Sequence, residues 1–511
     1  MATLKSLRDE RLRKLQDIKK LGINPYPADS NRSNYLNDIQ TNFDQFKDKS
    51  VSVVGRIKGI RKIGKIAFIA IHDSSGDLQL FLKQDQVKPD NTPRAYLNFS
   101  EINLLDSGDF IQASGNVIKT QTGEISVAVE KIKLLSKTLR PMPTAHGGFT
   151  NKEERLRRRY IDLNINQNVY QRFIRRSNFW QSTRDFLIKN GFIEINVPVL
   201  EHTTGGADAK PFITHMESLN QDFYLRISHE LPLKKLLGGG YEKVFDIGPR
   251  FRNENYSDEH LPEHIAMEWY WAYADWNDGM RFTQDLLRYV CDKTWNKRSF
   301  IINDGQEVDL GKDGINWSKI SFVEIIKNKY NIDVFNSGMD DIKQKLKENK
   351  LEVSKEDNRV RSLDKLWKKI RTEISGPAYL IDIPIFMQPL AKAQSNDPRL
   401  SEQFNLILGG TEICKAYSEL NDPIDQFNRF LEQRDLRNAG DDEAQMLDID
   451  FIEMLEFGMP PACGFGFSER VFWTLDNITA REGVPFPQLR QEIDELTASI
   501  YPEVYSKKQP K

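Results

Sequence analysis

The chain has 511 residues, 39% of them hydrophobic and 10% aromatic, enough for two or three domains with real cores. No stretch approaches 18 consecutive apolar residues, and the N-terminus, MATLKSLRDERLRKLQ, lacks the apolar core of a signal peptide, so no membrane partner and a cytoplasmic location are expected. The net charge of −2 conceals an imbalance: residues 1–150 hold 23 Lys+Arg against 16 Asp+Glu, leaving the rest at −9 and marking the front third as a candidate reader of polyanions. The three cysteines, Cys291, Cys414 and Cys463, are far apart and form no CxxC pair, so they read as packed thiols.

Residues 4–21 predict a helix in which Leu4, Leu7, Leu12, Leu15, Ile18 and Leu21 form an apolar stripe amid Lys5, Arg8, Arg11, Arg13, Lys14, Lys19 and Lys20. It is expected to dock by the stripe, expose a basic face and stop at Gly22 and Pro25. Over residues 51–135 the pattern turns to five short strands, VSVVGRIKGI, KIAFIAIHD, DLQLFLK, DFIQASGNVIK and EISVAVEKIKLL, with a helical segment at 96–105 between the third and fourth. That layout is an OB-fold, a small Greek-key barrel whose open face binds oligonucleotides. Phe68 is placed either to stack a base or to fill the barrel core, with Arg61, Gln79 and Glu124 available for base edges and phosphates.

The linker TLRPMPTAHGG divides the chain into residues 1–140 and 141–511. NKEERLRRRYIDL then reads as a basic helical start whose arginines suit packing, dimer contacts or nucleic acid alike. A helix over 167–190, capped by Gly191, runs into GFIEINVPVL, where Phe192, Ile193, Ile195, Val197 and Val199 predict an apolar edge strand ended by Pro198. Gly205 and Gly206 in HTTGGADAKPFITH allow close approach of backbone to a ligand, or simply a tight turn. Glu230 opens the helix of YLRISHELPLKKLL.

Residues 243–275, KVFDIGPRFRNENYSDEHLPEHIAMEWYWAYAD, read as two antiparallel strands around a long polar loop. Phe245, Ile247 and Phe251 alternate with Asp246, Gly248, Arg250 and Arg252; after the loop, Ile265, Met267 and Trp269 alternate with Ala266, Glu268 and Tyr270. Arg252, Glu254, Glu268 and Tyr270 are therefore expected in one cleft. Guanidinium forks suit phosphate, because they donate parallel hydrogen bonds and keep their charge. A carboxylate and a tyrosine amid Trp269, Trp271 and Met267 would be costly to bury without partners.

Residues 276–380 are mixed helical and polar, with no interpretable motif. Strands resume at AYLIDIPIF and EQFNLILGGTEICKAYSELND; the second is read as one strand whose Glu412 and Glu419 suit a divalent metal, a cationic substrate or a salt bridge. PIDQFNRFLEQRDL and QMLDIDFIEMLEFG predict amphipathic helices. PPACGFGFSERVFWTLDN predicts a glycine-rich strand entering a helix that carries Arg470, with room for a nucleotide.

Three of these stretches, GFIEINVPVL with Pro198, FRNE with Arg252 and Glu254, and GFGFSER with Arg470, resemble in order the signature motifs of class II aminoacyl-tRNA synthetases. RRRYIDL, GGADAKPFITH, YLRISHEL, EWYWAYAD, EICKAYSELND and AGDDEAQMLDIDFIEMLEFGMPP resemble the lysyl-tRNA synthetases within that class, over nearly the whole chain. The resemblance implies an α+β protein: an N-terminal five-stranded OB-fold β-barrel for the anticodon, and a class II catalytic domain on a six- to seven-stranded antiparallel β-sheet flanked by helices, in a homodimer. It implies ATP-dependent activation of L-lysine to lysyl-adenylate and transfer to the 3′ end of tRNA(Lys), with Mg²⁺. By the same resemblance Arg252 would hold the α-phosphate and the substrate carboxylate, Glu254 the adenine, and Arg470 the ring and γ-phosphate. Gly206 and Glu230 would bind the α-amino group, and Glu268, Tyr270 and Glu419 the lysine ammonium. Glu412 would help hold Mg²⁺, and Arg61, Phe68, Gln79 and Glu124 would contact the anticodon.

The chain departs from the family pattern in four places. Asn405 stands where a second metal carboxylate is usual, Lys415 where an asparagine near the substrate carboxylate is usual, and His264 where a phenylalanine stacks adenine; the third motif ends FSER instead of a GIDR-like form. Asn405 and Lys415 each shift the local charge one unit positive, so the Lys415 ammonium is expected to replace part of the metal charge, with fewer bound Mg²⁺ ions. Two other readings stay open. An aspartyl- or asparaginyl-type synthetase is opposed by Glu268 and Glu419, which would repel an acidic ligand. A synthetase-like paralogue with an RNA-binding or regulatory role is opposed by the intact Arg252, Glu254, Glu412 and Arg470.

Overall fold

Alternating apolar residues dominate the first third of the chain and long amphipathic helices the rest. The computed structural model describes residues 3–87, 94–143, 149–253, 257–258, 260–302, 305–354, 357–440 and 443–505. The chain divides into two compact units, Met1–Asn151 with Arg490–Lys511, and Lys152–Leu489. The segment after Leu489 thus groups with the N-terminal residues, where the linker position alone had put it in the second unit; Arg140 donates to Thr497 Oγ1 at 3.3 Å.

In the first unit, α1 (Leu4–Lys20) starts at Thr3, whose hydroxyl accepts from the Ser6 N–H at 3.2 Å, and stops at Gly22 with φ +76°. Only the C-terminal half of its stripe docks: Leu15 and Ile18 are buried, while Leu4 and Leu7 stay exposed. Part of the basic face turns inward, because Arg11 donates to Thr138 Oγ1 at 2.7 Å and Lys14 pairs with Asp106 at 2.7 Å. Strands β1 (Ser50–Ile63), β2 (Ile66–His72), β3 (Asp77–Lys83), β4 (Phe110–Lys119) and β5 (Ile125–Ser136) close into a barrel in the order β1-β2-β3-β5-β4. The expected helical segment is a 3₁₀ turn, Phe99–Leu104. The barrel interior is filled by the alternate residues Val53, Ile69, Ile71, Leu80, Ile111 and Val127.

The second unit is built on α2 (Gln167–Lys189), β6 (Ile193–Glu194), α3 (Glu230–Gly238), β7 (Lys243–Phe251), β8 (Glu263–Ala272), α4 (Trp276–Trp295), β9 (Ser318–Ser321), α5 (Arg359–Arg371), β10 (Ala378–Ile381), β11 (Gln403–Leu408), β12 (Thr411–Ser418), β13 (Ala462–Ser468) and α6 (Arg470–Leu475). Its sheet has eight strands, in the order β9-β10-β11-β12-β13-β8-β7-β6. The six central strands are antiparallel, whereas β9 on β10 and β6 on β7 pair parallel. The sheet is therefore wider than the six or seven antiparallel strands expected.

Two sequence expectations change here. EQFNLILGGTEICKAYSELND is a hairpin, turned at Gly409 and Gly410, both with positive φ. GFIEINVPVL joins the large sheet only at Ile193–Glu194, and its last residue, Leu200, pairs with Leu225 in a separate small sheet. Between the two, Asn196 donates to Asp246 Oδ1 at 2.9 Å and the Val197 N–H to Asp246 Oδ2 at 3.4 Å, so a buried carboxylate takes the place of a strand neighbour. Of the arginines in RRRYIDL, Arg159 pairs with the buried Asp162 at 2.9 Å and serves packing.

One face of the sheet is core: Phe245, Trp269, Phe465 and Phe467 pack with Phe179 of α2 and Leu286 of α4. All three cysteines are buried and free, as packed thiols should be. The other face carries two cross-strand rows, Asn405, Lys415, Gly466, Glu268, Asp246 and Tyr417, Gly464, Tyr270, Val244. Among the described residues no helix is long and apolar enough to cross a membrane.

Candidate active site

The absence of side chains at Gly464 and Gly466 opens a floor between those rows. A Cβ at Gly464 would lie 2.0 Å from Glu419 Oε1 and 2.4 Å from Tyr270; one at Gly466 would lie 3.2 Å from Glu268 Cγ. Above this floor is a cavity of about 370 Å³, lined by Arg252, Glu268, Tyr270, Glu412, Lys415 and Arg470. Gly206, Glu230 and His264 also line it. Asn405 and Glu419 lie behind its walls, buried. Glu254 lies outside the described residues.

One end is acidic and buried. Glu230, Glu268 and Glu419 are all less than 5% exposed, and so is Lys234. Lys234 Nζ donates to Glu230 Oε1 at 2.7 Å and contacts Glu419 Oε2. Burial alone would depress the ammonium pKa of Lys234, but Glu230 and Glu419 outweigh it and hold it above its ordinary value. Burial pushes Glu419 above the usual carboxyl range, against the opposing pull of Lys234. Burial and the three carboxylates keep Tyr270 and Tyr417 as phenols, well above the usual tyrosine pKa. Both therefore donate: Tyr417 to Glu230 Oε1 at 2.6 Å, Tyr270 to Glu268 Oε2 at 3.2 Å. The Ser228 hydroxyl lies 2.9 and 3.0 Å from the two Glu268 oxygens and accepts from the Glu230 N–H at 3.2 Å. Gly206, at φ +83°, presses on this group so closely that a Cβ would meet Glu230 Cβ at 2.6 Å. Three carboxylates against the Lys234 ammonium and the Arg250 guanidinium, 3.8 Å from Glu268, still leave a negative charge that fits a small cation.

The other end is basic. Arg252 follows β7 and Arg470 opens α6, and both reach the cavity. Arg252 Nε is buried without a hydrogen-bond partner among the described residues. Beneath Arg470, Glu469 is tied to α2 by Arg176 and by Trp180 Nε1 at 3.3 Å, which fixes where the helix begins. His264 is pushed well below the usual histidine pKa by burial, then by Arg250 and Arg252. Its neutral ring accepts from Arg250 Nε at Nε2, 2.8 Å away, so Nδ1 carries the proton, facing the Leu261 carbonyl at 3.3 Å. Arg250 in turn lies 3.8 Å from Glu268.

The Glu412 corner does not fit a protein-held divalent ion. Trp367 Nε1 of α5 donates to Glu412 Oε1, and Asn405 Nδ2 donates to Glu412 Oε2 at 3.0 Å. Asn405 Oδ1 accepts from Gln403 Nε2 at 2.8 Å, so it offers no oxygen to the cavity. Among the described residues no three His, Cys, Asp or Glu side chains converge as metal ligands would.

Residues 151–490 match the family of class II tRNA synthetases (D, K and N), and residues 51–135 the OB-fold nucleic acid binding domain. A lysine–tRNA ligase of Fervidobacterium nodosum is 40% identical over 498 residues, 96% of this chain and 95% of that one. The chain belongs to the lysine–tRNA ligase family of class II synthetases. Lysine–tRNA ligases of Thermosipho africanus and Thermotoga maritima are each 38% identical over 95% of this chain and 96% of theirs.

In the OB-fold unit, Phe68 points out of the barrel. It stacks on Phe81 with centroids 5.2 Å apart, under the Arg61 guanidinium at 5.1 Å, while Ala67 and Ile69 fill the interior. Gln79, two residues from Phe81 on the same strand, donates to Ser126 Oγ at 2.9 Å, and Glu124 is exposed in the turn just before Ser126. These four positions thus share one outer surface. Lys234, Ser228, Tyr417 and Trp367 had been missed in the sequence; Lys234 carried a signal, four residues after Glu230 on one helix face.

Proposed function

We infer that the protein uses ATP to convert L-lysine to lysyl-adenylate and then transfers the lysyl group to the 3′ end of tRNA(Lys). The observation that carries this reading is the buried acidic end, with Glu268 at its rim, facing the arginine-lined end of the same cavity. A lysine ε-ammonium satisfies Glu268 and Tyr270, backed by Glu419, while its α-amino group meets Gly206 and Glu230. A neutral side chain would leave those carboxylates unpaired, which costs roughly 1–3 kcal/mol per buried group or more for charges.

ATP enters as its magnesium complex. Arg252 draws the α-phosphate and the substrate carboxylate together, Arg470 covers the adenine and γ-phosphate, and Glu254 is assigned to the adenine by motif. His264 forms the nucleotide wall as a neutral ring. The lysine carboxylate oxygen attacks the α-phosphorus in line; that bond forms as the bond to the β-phosphate bridging oxygen breaks, and pyrophosphate leaves with the electron pair. A carboxylate is already ionised at neutral pH, so positioning and charge neutralisation suffice without a general base. The terminal adenosine hydroxyl of the tRNA then attacks the acyl carbon and expels AMP. Arg61, Phe68, Gln79 and Glu124 read the anticodon, Phe68 by stacking a base.

The protein works as a cytoplasmic homodimer. The dimer is supported by the exposed side chains of Ile174 and Ile188 on α2, Ile193 on the edge strand β6, and Leu200. The function is tested by charging unfractionated tRNA with each standard amino acid in turn. Lysine alone should form an ester with tRNA; charging with aspartate or asparagine, or with none, would overturn the reading.

A further inference from the structure

The Glu412 corner is a closed hydrogen-bond chain, and its composition has a consequence for the reaction. From Gln403 the chain runs through Asn405 to Glu412, and Trp367 closes it from α5. Every link orients its neighbour: Gln403 donates to the amide oxygen of Asn405, which leaves Asn405 only its N–H₂ to give Glu412. Both Glu412 oxygens therefore have fixed donors before any ligand arrives. Divalent cations of the magnesium type take several oxygen ligands, and at this corner Glu412 is flanked by an amide that turns its N–H₂, not its oxygen, toward it, with no converging set of carboxylates among the described residues.

Directly opposite, Lys415 occupies the position of β12 paired with Asn405 on β11, on the same face of the sheet. It is exposed to the cavity, and its Nζ lies 5.5 Å from the Tyr417 ring. Among the described residues it forms no ion pair, so its charge is not consumed internally. Across β13 its register partner is Gly466, and the next strand brings Glu268. Lys415 and Glu268 are thus two strands apart, about 10 Å at ordinary strand spacing, with only a glycine between them. Glu412 and Lys415 together are formally neutral, which gives a free cation no electrostatic reason to settle there.

We propose that Lys415, and not a cation held by Glu412, supplies the positive charge this wall presents to the reacting α-phosphate, so the enzyme works with only the magnesium that arrives on ATP. This rests on reading the cavity as the lysine and ATP site. Glu412 then acts as a positioning residue beside Lys415, kept in place by Trp367 and Asn405.

The test counts ions. Manganese(II), an electron-spin-resonance probe for magnesium, is titrated onto the full-length enzyme with lysine and α,β-methylene-ATP. The wild type should bind one ion per bound nucleotide, and Asn405→Glu/Lys415→Asn, which restores a second carboxylate and removes the ammonium, should bind at least one more. Two or more ions per nucleotide in the wild type, or an unchanged count in the double variant, would overturn the proposal. Lysine-dependent ATP–pyrophosphate exchange adds a second arm: Lys415→Met should slow it by roughly 10²-fold, the scale of one preorganised charge, and Lys415→Arg should recover most of the loss. Exchange within twofold of wild type for Lys415→Met would also overturn it. Lysine-dependent exchange by the wild type itself reports separately on the underlying function.

Discussion

Lys234 Nζ lies 2.7 Å from Glu230 Oε1, one turn away on α3, and both side chains are buried. This internal lysine takes up part of the charge of the very carboxylates that face the substrate. Removing it should leave Glu230 and Glu419 uncompensated in a dry site. Lys234→Met is expected to lower stability by about 3–5 kcal/mol, the cost of breaking a buried ion pair from one side. Urea denaturation measures this, and a loss below about 1 kcal/mol would show that the carboxylates find other partners or stay protonated.

Glu268 accepts from Ser228 and Tyr270 and still lines the cavity, so it is the carboxylate most available to a substrate ammonium. Glu268→Gln keeps the shape and removes the charge. Lysine KM in pyrophosphate exchange should rise by about 10- to 150-fold, matching roughly 1.5–3 kcal/mol for a hydrogen bond to a charged group. ATP KM should stay within about twofold, because Arg252 and Arg470 are untouched.

His229 sits buried just ahead of α3, with Nδ1 3.6 Å from Asp246 and neither ring nitrogen meeting a hydrogen-bond partner among the described residues. Burial, reinforced by Arg226, pushes its pKa down to about 3. The unfolded chain takes up a proton near pH 6.5 that the folded protein refuses until about pH 3. Its contribution is therefore complete above pH 6.5 and is lost as pH falls, by up to about 1.4 kcal/mol per pH unit. Urea midpoints between pH 7 and pH 5 should fall more steeply for the wild type than for His229→Gln; parallel curves would contradict this.

Phe68 is held outward between Arg61 and Phe81, so Phe68→Ala should leave the barrel folded. The loss of one stacked base is worth about 1–3 kcal/mol, so tRNA KM in aminoacylation should rise about 5- to 150-fold. Lysine-dependent pyrophosphate exchange, which needs no tRNA, should not change. A matching fall in exchange would place Phe68 in the stability of the fold instead.

Much of this was legible in the chain because local periodicity and sidedness agree. The five barrel strands fell where apolar and polar residues alternate, and Arg252, Glu268 and Tyr270 reach one cavity because they share a face of one hairpin. What failed depended on distant partners. LILGGTEICKAY reads as one strand by composition, yet two glycines with positive φ reverse it. INVPV has a strand's apolar content, but beyond Ile195 the Val197 N–H and the Asn196 side chain turn to the Asp246 carboxylate. Phe68 was undecidable until the register showed which face of β2 fills the barrel. Trp367 lies on an ordinary amphipathic helix, 45 positions from Glu412, and nothing local marks it as a partner.

Lysine is chosen by its charge, and ATP–pyrophosphate exchange with lysine, aspartate and asparagine tests that most directly. Exchange with lysine alone, abolished or strongly weakened when the ε-ammonium is replaced by a methyl group in norleucine, is the predicted result. Exchange supported by aspartate, asparagine or norleucine at rates comparable to lysine, or by none of them, would contradict it.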